Sequence, residues 1–395
     1  MRLVLFTFIL IFYALMLLPG AQYVFDLIPR KSIAGLPWVD RSVPKASVDA
    51  ILSGAFQHKF ETWFTQNMGF WGISVRLDSE VNSRLFKQST ANYAPLVVHG
   101  KNKTLYRDQY VEDYNRGNLV APEELERRAI NFKLLQSKLA ERGVPVLYLI
   151  TPTKAALYPE NLPESRIVRR RLSKKRNYDY FVQYLDQHGV EYIDAHRFFA
   201  DRREEYPYGV FATTGSHWND IAICDVSRLV LDKLREKLGK KLVDFTCRPI
   251  KVKPFQVGAD QDLLDLLNLW DETPYYVPTP YPQTETIRDG DEYQPDLLFV
   301  GDSFLDGLLR FYDWHKVYAE RDMFFYYKRN RHYPSNSIRP IYRSALKWEE
   351  DIFAKDAIIV EINEAFVQYA GFNFVPDALK ALGIAADSIA EKEPG

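Results

Sequence analysis

The chain opens on a stretch with almost no polar pattern. Positions 3–25 carry no charge over 23 residues, and Thr7 is the one polar interruption between Leu3 and Leu18. A helix of that length rises about 35 Å, enough for a bilayer core. Pro19, Gly20, Ala21 and Gln22 follow without a clean small-x-small cleavage pair. We therefore expect an uncleaved signal anchor over residues 1–25, with a cleaved signal peptide as the alternative. Arg2 on one side and Arg30 with Lys31 on the other leave its orientation undecided by charge. No later segment has 18 consecutive apolar residues, so the remainder reads as one soluble body on one side of a membrane.

Residues 26–120 read as a stalk and lead-in region. Helical spacing covers 53–86, with Phe56, Phe60, Trp63 and Phe64 on one face and a break at Gly69. A strand, a turn over 100–103 and a return strand fit 95–106. From 121 onward helices and strands alternate. The spacing predicts helices over 122–142, 172–188, 218–238 and 304–312, and apolar strands over 144–150, 190–194, 296–301 and 357–362. Short apolar runs separated by helices predict a parallel sheet covered on both faces, with its chemistry at the carboxyl ends of the strands.

Composition narrows the classes. With 51 Lys plus Arg against 52 Asp plus Glu, the net charge of −1 argues against a protein whose main business is gripping nucleic acid. Two cysteines, Cys224 and Cys247, are too few for a disulfide framework or a cysteine zinc site. No P-loop, dinucleotide fingerprint or His-Glu-x-x-His occurs, so no cofactor or metal is expected. An aromatic content of 14% suits a core or sugar stacking and separates nothing alone.

Candidate chemistry centres on Ser303 in Gly301-Asp302-Ser303-Phe304, at a strand-to-helix junction. A hydroxyl there sits beside the N–H groups of a helix start, which can hold an oxyanion. The plainer reading is that Ser303 caps its helix. Among seven histidines, His217 stands out in Gly215-Ser216-His217-Trp218-Asn219, just before a helix whose positive end would keep the imidazole neutral, as a general base requires. A histidine beside a tryptophan can equally be structural.

These two motifs, in this order, resemble the AlgJ/AlgX-like polysaccharide O-acetyltransferases, whose domain is SGNH hydrolase-like. The likeness extends to residues 60–70, 97–105 and 151–154, to Tyr158-Pro159 and Leu162-Pro163, to 262–267, and to Glu361 and Asn363. It implies a three-layer α/β/α domain with a central parallel sheet over 121–395, preceded by a single-pass anchor in the bacterial inner membrane and facing the periplasm. It further implies that Ser303 accepts an acetyl group as an ester while His217 deprotonates first the serine and then a sugar hydroxyl. The implied partners are the polysaccharide and a membrane-embedded O-acyltransferase as acetyl donor.

The chain also departs from that family. Catalytic members carry an aspartate two residues before the histidine, where this chain has Gly215; the related hydrolases place it three before, at Thr214. Asp194, at the end of a neighbouring strand, is the expected substitute. The arginine that tends to follow the family's Asn-Glu is replaced by Ala365. A catalytically silent polysaccharide-binding or scaffold subunit and an acetylesterase are the competing functions. Tyr326, Tyr327, Arg329 and Asn363 are the expected substrate-binding residues. The basic run 166–176 reads as a solvated helix face or as a contact for anionic lipid or polymer. The proline-rich stretch 275–283 reads as a loop over the site or a surface connection.

Overall fold

The structure is a computed structural model that describes residues 2–29, 32–35, 42–67, 69–89, 97–324, 331–332, 339–340 and 346–386. Two compact units divide the chain: Met1–His99 with Leu263–Tyr275, and Gly100–Asp262 with Tyr276–Gly395. Residues 100–120, read from sequence as part of the lead-in, fall in the second unit.

The first unit is helical. Its N-terminal helix, Arg2–Phe25, is exposed along nearly its whole length and is long and apolar enough to cross a membrane. Shorter helices follow at Val48–Leu52, Ala55–Asn67 and Trp71–Val81, with the break near Gly69 where the spacing placed it. Gly69 packs so closely on the Pro19 carbonyl that no side chain fits there.

The second unit is built on one parallel sheet of five strands: β1 (Val146–Thr151), β2 (Tyr192–Asp194), β3 (Asp296–Val300), β4 (Glu320–Phe324) and β5 (Ala357–Asn363). Their spatial order is β4-β3-β5-β1-β2, with every pairing parallel. Alternate residues serve opposite faces. Leu298, Val300, Ile358, Val360 and Ile362 join one apolar cluster with the helices α1 (Pro122–Ala140), α2 (Asn177–Gln187) and α5 (Phe374–Ala381). Phe299 points the other way, its ring 6.1 Å from Tyr312 of α4 (Phe304–His315). Tyr312 in turn donates to the Ser227 carbonyl of α3 (Asp220–Leu238) at 2.8 Å. This is the three-layer arrangement that the continuous apolar strands implied.

Local sequence accounts for the principal helix. In α1, Pro122 takes the first turn, where its missing N–H costs nothing, and Glu123 and Glu124 face the positive end. Leu125, Ala129, Phe132, Leu135 and Leu139 form its buried stripe, and Gly143 turns the chain at φ +77°.

Two features differ from the sequence reading. Strand β4 (Glu-Arg-Asp-Met-Phe) was not anticipated, because charge masks it. As an edge strand it tolerates these residues: Arg321 pairs with Asp313, and buried Asp322 pairs with Lys355 at 2.6 Å. The basic run is not one helix face but two exposed 3₁₀ turns, Glu164–Arg166 and Arg169–Arg171, ending in a buried Arg176. The two cysteines form a disulfide, Cys224–Cys247.

Candidate active site

Ser303 lies between the end of β3 and the first turn of α4. Its hydroxyl makes no capping bond; Asp302 caps instead, its Oδ1 accepting the Phe304 N–H at 2.9 Å. Freed from that role, Ser303 Oγ stands 2.8 Å from His217 Nε2. Gly301 is required beneath it, since a Cβ would fall 2.6 Å from the Glu361 carboxylate. That carboxylate accepts the Asp302 N–H at 3.0 Å and the Thr151 hydroxyl at 2.5 Å, tying the turn after β3 to the ends of β5 and β1. Burial, joined by the negative Asp302, pushes the Glu361 carboxyl well above its usual range.

His217 is placed by a short loop that closes into α3, where Asn219 caps by accepting the Ala222 N–H. Its ring packs 5.0 Å from that of Phe304, and neighbouring Trp218 donates to the Phe304 carbonyl at 3.2 Å. The other ring nitrogen, Nδ1, lies 2.7 Å from Asp262 Oδ2. The same carboxylate accepts the Ser216 N–H and hydroxyl, each at 2.6 Å. Serine, histidine and carboxylate thus form one hydrogen-bonded line with the geometry of a serine triad.

Asp262 is the residue that sequence reasoning missed, and the vacancy at Gly215 explains why it is needed. A Cβ at 215 would sit 2.7 Å from the Ala259 carbonyl oxygen and 3.0 Å from the Asp260 Cα. The 3₁₀ turn Gly258–Gln261 fills the space of an aspartate side chain at 215 and carries Asp262 to His217 Nδ1. Thr214 reinforces the contact by donating to the Asp260 carbonyl at 2.8 Å. The signals in the sequence were the glycine itself and an acidic pair, Asp260 and Asp262, ahead of a leucine-rich run.

Asp194 does not take this role. Its carboxylate caps the helix Ala195–Asp201 by accepting the Arg197 N–H at 2.9 Å and also accepts the Tyr178 hydroxyl at 2.8 Å. It closes the end of β2. Asn363 is 1% exposed, accepts the Ala365 N–H through its side chain and so holds the turn after β5 instead of facing outward. Tyr326, Tyr327 and Arg329 lie outside the described residues.

Electrostatics follow from this packing. Burial alone would lower the His217 pKa, but the Asp262 hydrogen bond and charge, with Asp302 and Asp306 adding to them, leave it above its ordinary value. The helix end expected to keep this imidazole neutral is outweighed by those carboxylates. Asp262 is raised by burial and lowered further by His217 and Ser216, so it stays ionised. Behind the histidine loop, buried Lys154 donates to the Leu105 and Thr213 carbonyls, each at 2.9 Å; burial brings it down to about 7. A separate buried group joins Glu364 to Arg176 at 3.1 Å and His196 at 3.0 Å. Burial opposes the Glu364 charge, yet the two cations hold its carboxyl down at about 2. Among the described residues no cluster of three or more His, Cys, Asp or Glu side chains is placed to hold a metal ion.

Residues 97–313 match the family model described as SGNH hydrolase-like domain, acetyltransferase AlgX. Over 203 residues the chain is 25% identical to the probable alginate O-acetylase AlgJ of Pseudomonas aeruginosa, covering 50% of this chain and 48% of that protein. The chain therefore spans about half the length of that relative. Two solved structures are similar in fold. The O-acetyltransferase domain of Pseudomonas putida AlgJ matches at a TM-score of 0.45 and 16% identity, covering 69% of this chain and 92% of that one. Pseudomonas aeruginosa AlgX matches at 0.45 and 14%, covering 72% and 66%.

Proposed function

The chain belongs to the AlgX family of SGNH hydrolase-like acetyltransferase domains, and on that premise we propose that it O-acetylates an extracellular polysaccharide through an acetyl-Ser303 intermediate. The observation that carries the proposal is the line Ser303 Oγ, His217 Nε2, His217 Nδ1, Asp262 Oδ2, with successive separations of 2.8 and 2.7 Å across the ring. A hydroxyl aligned on an imidazole that is itself held by a carboxylate is what nucleophilic acyl transfer requires.

In the first half-reaction Ser303 Oγ attacks the acetyl carbonyl and its proton passes to His217 Nε2. The tetrahedral oxyanion is met by the Ser303 N–H at the start of α4. As it collapses, the bond to the donor breaks and the imidazolium returns its proton to the departing group. In the second half-reaction a sugar hydroxyl replaces the donor: His217 takes its proton, the sugar oxygen bonds to the acetyl carbon, and the Ser303 ester bond breaks with the proton restored to Oγ. Asp262 fixes the tautomer with Nδ1–H toward itself and stabilises the imidazolium in both halves.

The location and partners follow the same reading. The apolar helix Arg2–Phe25 supports an inner-membrane anchor, and the Cys224–Cys247 disulfide supports an oxidising space such as the periplasm. A membrane-embedded O-acyltransferase is the proposed source of acetyl groups.

The test is intact-mass analysis of the full chain after incubation with an activated acetyl ester. Wild type gains one acetyl group, placed on Ser303 by fragmentation, and Ser303→Ala gains none there. Equal labelling of the two proteins, or no labelling of wild type, refutes the acyl-enzyme and leaves the silent-subunit reading standing.

A further inference from the structure

The outer face of α4 begins at the nucleophile. Ser303, Asp306, Gly307, Arg310, Asp313 and Trp314 are the partly or fully exposed positions from 303 to 314; each lies three or four residues from another of the set, so they form one stripe along the helix. From Ser303 to Trp314 the stripe runs eleven residues, a rise of about 16 Å. Four of its members, Asp306, Arg310, Asp313 and Trp314, join Leu309 of α4 and Arg321 and Met323 of β4 in lining a groove of about 240 Å³.

The chemistry of this lining is specific. Trp314 is 59% exposed, an unusual position for the largest side chain in a folded domain. Its indole is held by Arg310, whose guanidinium lies 5.4 Å from the ring centroid and is itself paired with Asp220 of α3. Arg321 is fixed against Asp313 at 2.7 Å. The groove therefore offers one rigid aromatic surface and a row of preorganised donors and acceptors. A phosphate or carboxylate pocket would offer uncompensated cations; here both arginines are already matched by carboxylates. A hydroxyl-rich ring with one apolar C–H face fits such a lining, since the face packs on the indole while hydroxyls meet the charged groups. The near end of the groove lies one helical turn from the nucleophile: Asp306 follows Ser303 by three residues on the same face of α4.

We propose that the α4–β4 groove, from Asp306 to Trp314, is a subsite that binds the glycan acceptor chain and lays one of its sugars beside Ser303. This deepens the function proposed above and rests on it. Binding energy gathered at Trp314, remote from the reacting bond, positions the attacking hydroxyl.

The experiment uses the full-length protein and two probes, an alginate hexasaccharide and a neutral glucan hexasaccharide, titrated calorimetrically. The neutral glucan binds wild type more tightly than the alginate does, and Trp314→Ala weakens that binding about tenfold or more, whereas Trp270→Ala, another exposed tryptophan outside the groove, does not. The KM for the same oligosaccharide as acetyl acceptor rises correspondingly in Trp314→Ala. A wild type that does not bind the neutral glucan or that prefers the alginate, or a Trp314→Ala protein that binds as wild type does, overturns the subsite. Ser303 labelling by an acetyl ester is read separately. Labelling with Trp314-independent binding sinks the subsite and leaves the acyl-enzyme; Trp314-dependent binding without labelling does the reverse.

Discussion

Restoring the family's aspartate at position 215 should destroy the site, not improve it. A Cβ at Gly215 would lie 2.7 Å from the Ala259 carbonyl oxygen, against the 3.4 Å at which ordinary contact begins, so the turn over 258–261 must retreat by about 0.7 Å. Asp262 follows that turn directly. Added to its 2.7 Å bond with His217 Nδ1, such a shift exceeds the roughly 3.2 Å limit of a good N–H···O bond. A misplacement of this size costs about 10²-fold in rate, and complete loss of the orienting carboxylate about 10⁴-fold. Gly215→Ala should fall near the first figure and Gly215→Asp near the second, each with about 1–3 kcal/mol of destabilisation from overpacking. The assay is the burst of nitrophenol from p-nitrophenyl acetate, with the acetyl mass on Ser303 as cross-check and thermal melting to show that the variants fold. Gly215→Asp that matches or exceeds wild type would refute the reasoning, because the carboxylate at 215 would then be serving His217 as in the catalytic relatives. The double variant Gly215→Asp with Asp262→Asn should stay as slow as the slower single one.

Three further outcomes follow from the same geometry. His217 must be neutral to accept a proton and its pKa is raised, so acylation should climb with pH through a midpoint above 6.5; Asp262→Asn should shift that midpoint down and slow the step about 10³–10⁴-fold in pH-dependent acylation kinetics. Asp194→Asn should leave Ser303 acetylation unchanged and act only on melting temperature, since its partners are Tyr178 and Arg197. Glu364 is depressed from 4.5 to about 2, so the stability it contributes is present above 4.5 and lost as pH falls from there toward 2; urea unfolding should show this acid sensitivity in wild type but not in Glu364→Gln, which should itself be about 3–5 kcal/mol less stable at pH 7.

Much of this arrangement was legible in the chain. Ser303 and His217 each stand where a change of hydrophobic period marks a junction of elements, and junctions at the carboxyl edge of a parallel sheet are where such side chains converge. Three of the five strands, β1, β3 and β5, announced themselves as apolar runs because both faces are buried, whereas the half-exposed edge strand β2 was marked by its place after α2. Strand β4 did not, because Arg321 and Asp322 are satisfied through ion pairs that only folding brings into range, while Glu320 stays exposed. Asp262 was illegible for a related reason. It lies 45 residues from His217 and reaches it through a turn whose position depends on the missing Cβ at 215, a contact that no local pattern encodes. Topology alone points to Asp194 at the end of β2, but its carboxylate is committed to the helix that it starts.

The Cys224–Cys247 bond has a bearing on how the triad assembles. His217 precedes the first cysteine by seven residues and Asp262 follows the second by 15, so the bridge cuts the chain path between imidazole and carboxylate from 45 residues to about half. Halving a loop lowers its closure cost by about 0.6 kcal/mol, a factor of nearly three in how often its ends meet in the unfolded chain. Oxidation thus raises how often the base and its orienting acid meet in the unfolded chain, and a chain still in a reducing space must find that pairing over the longer path.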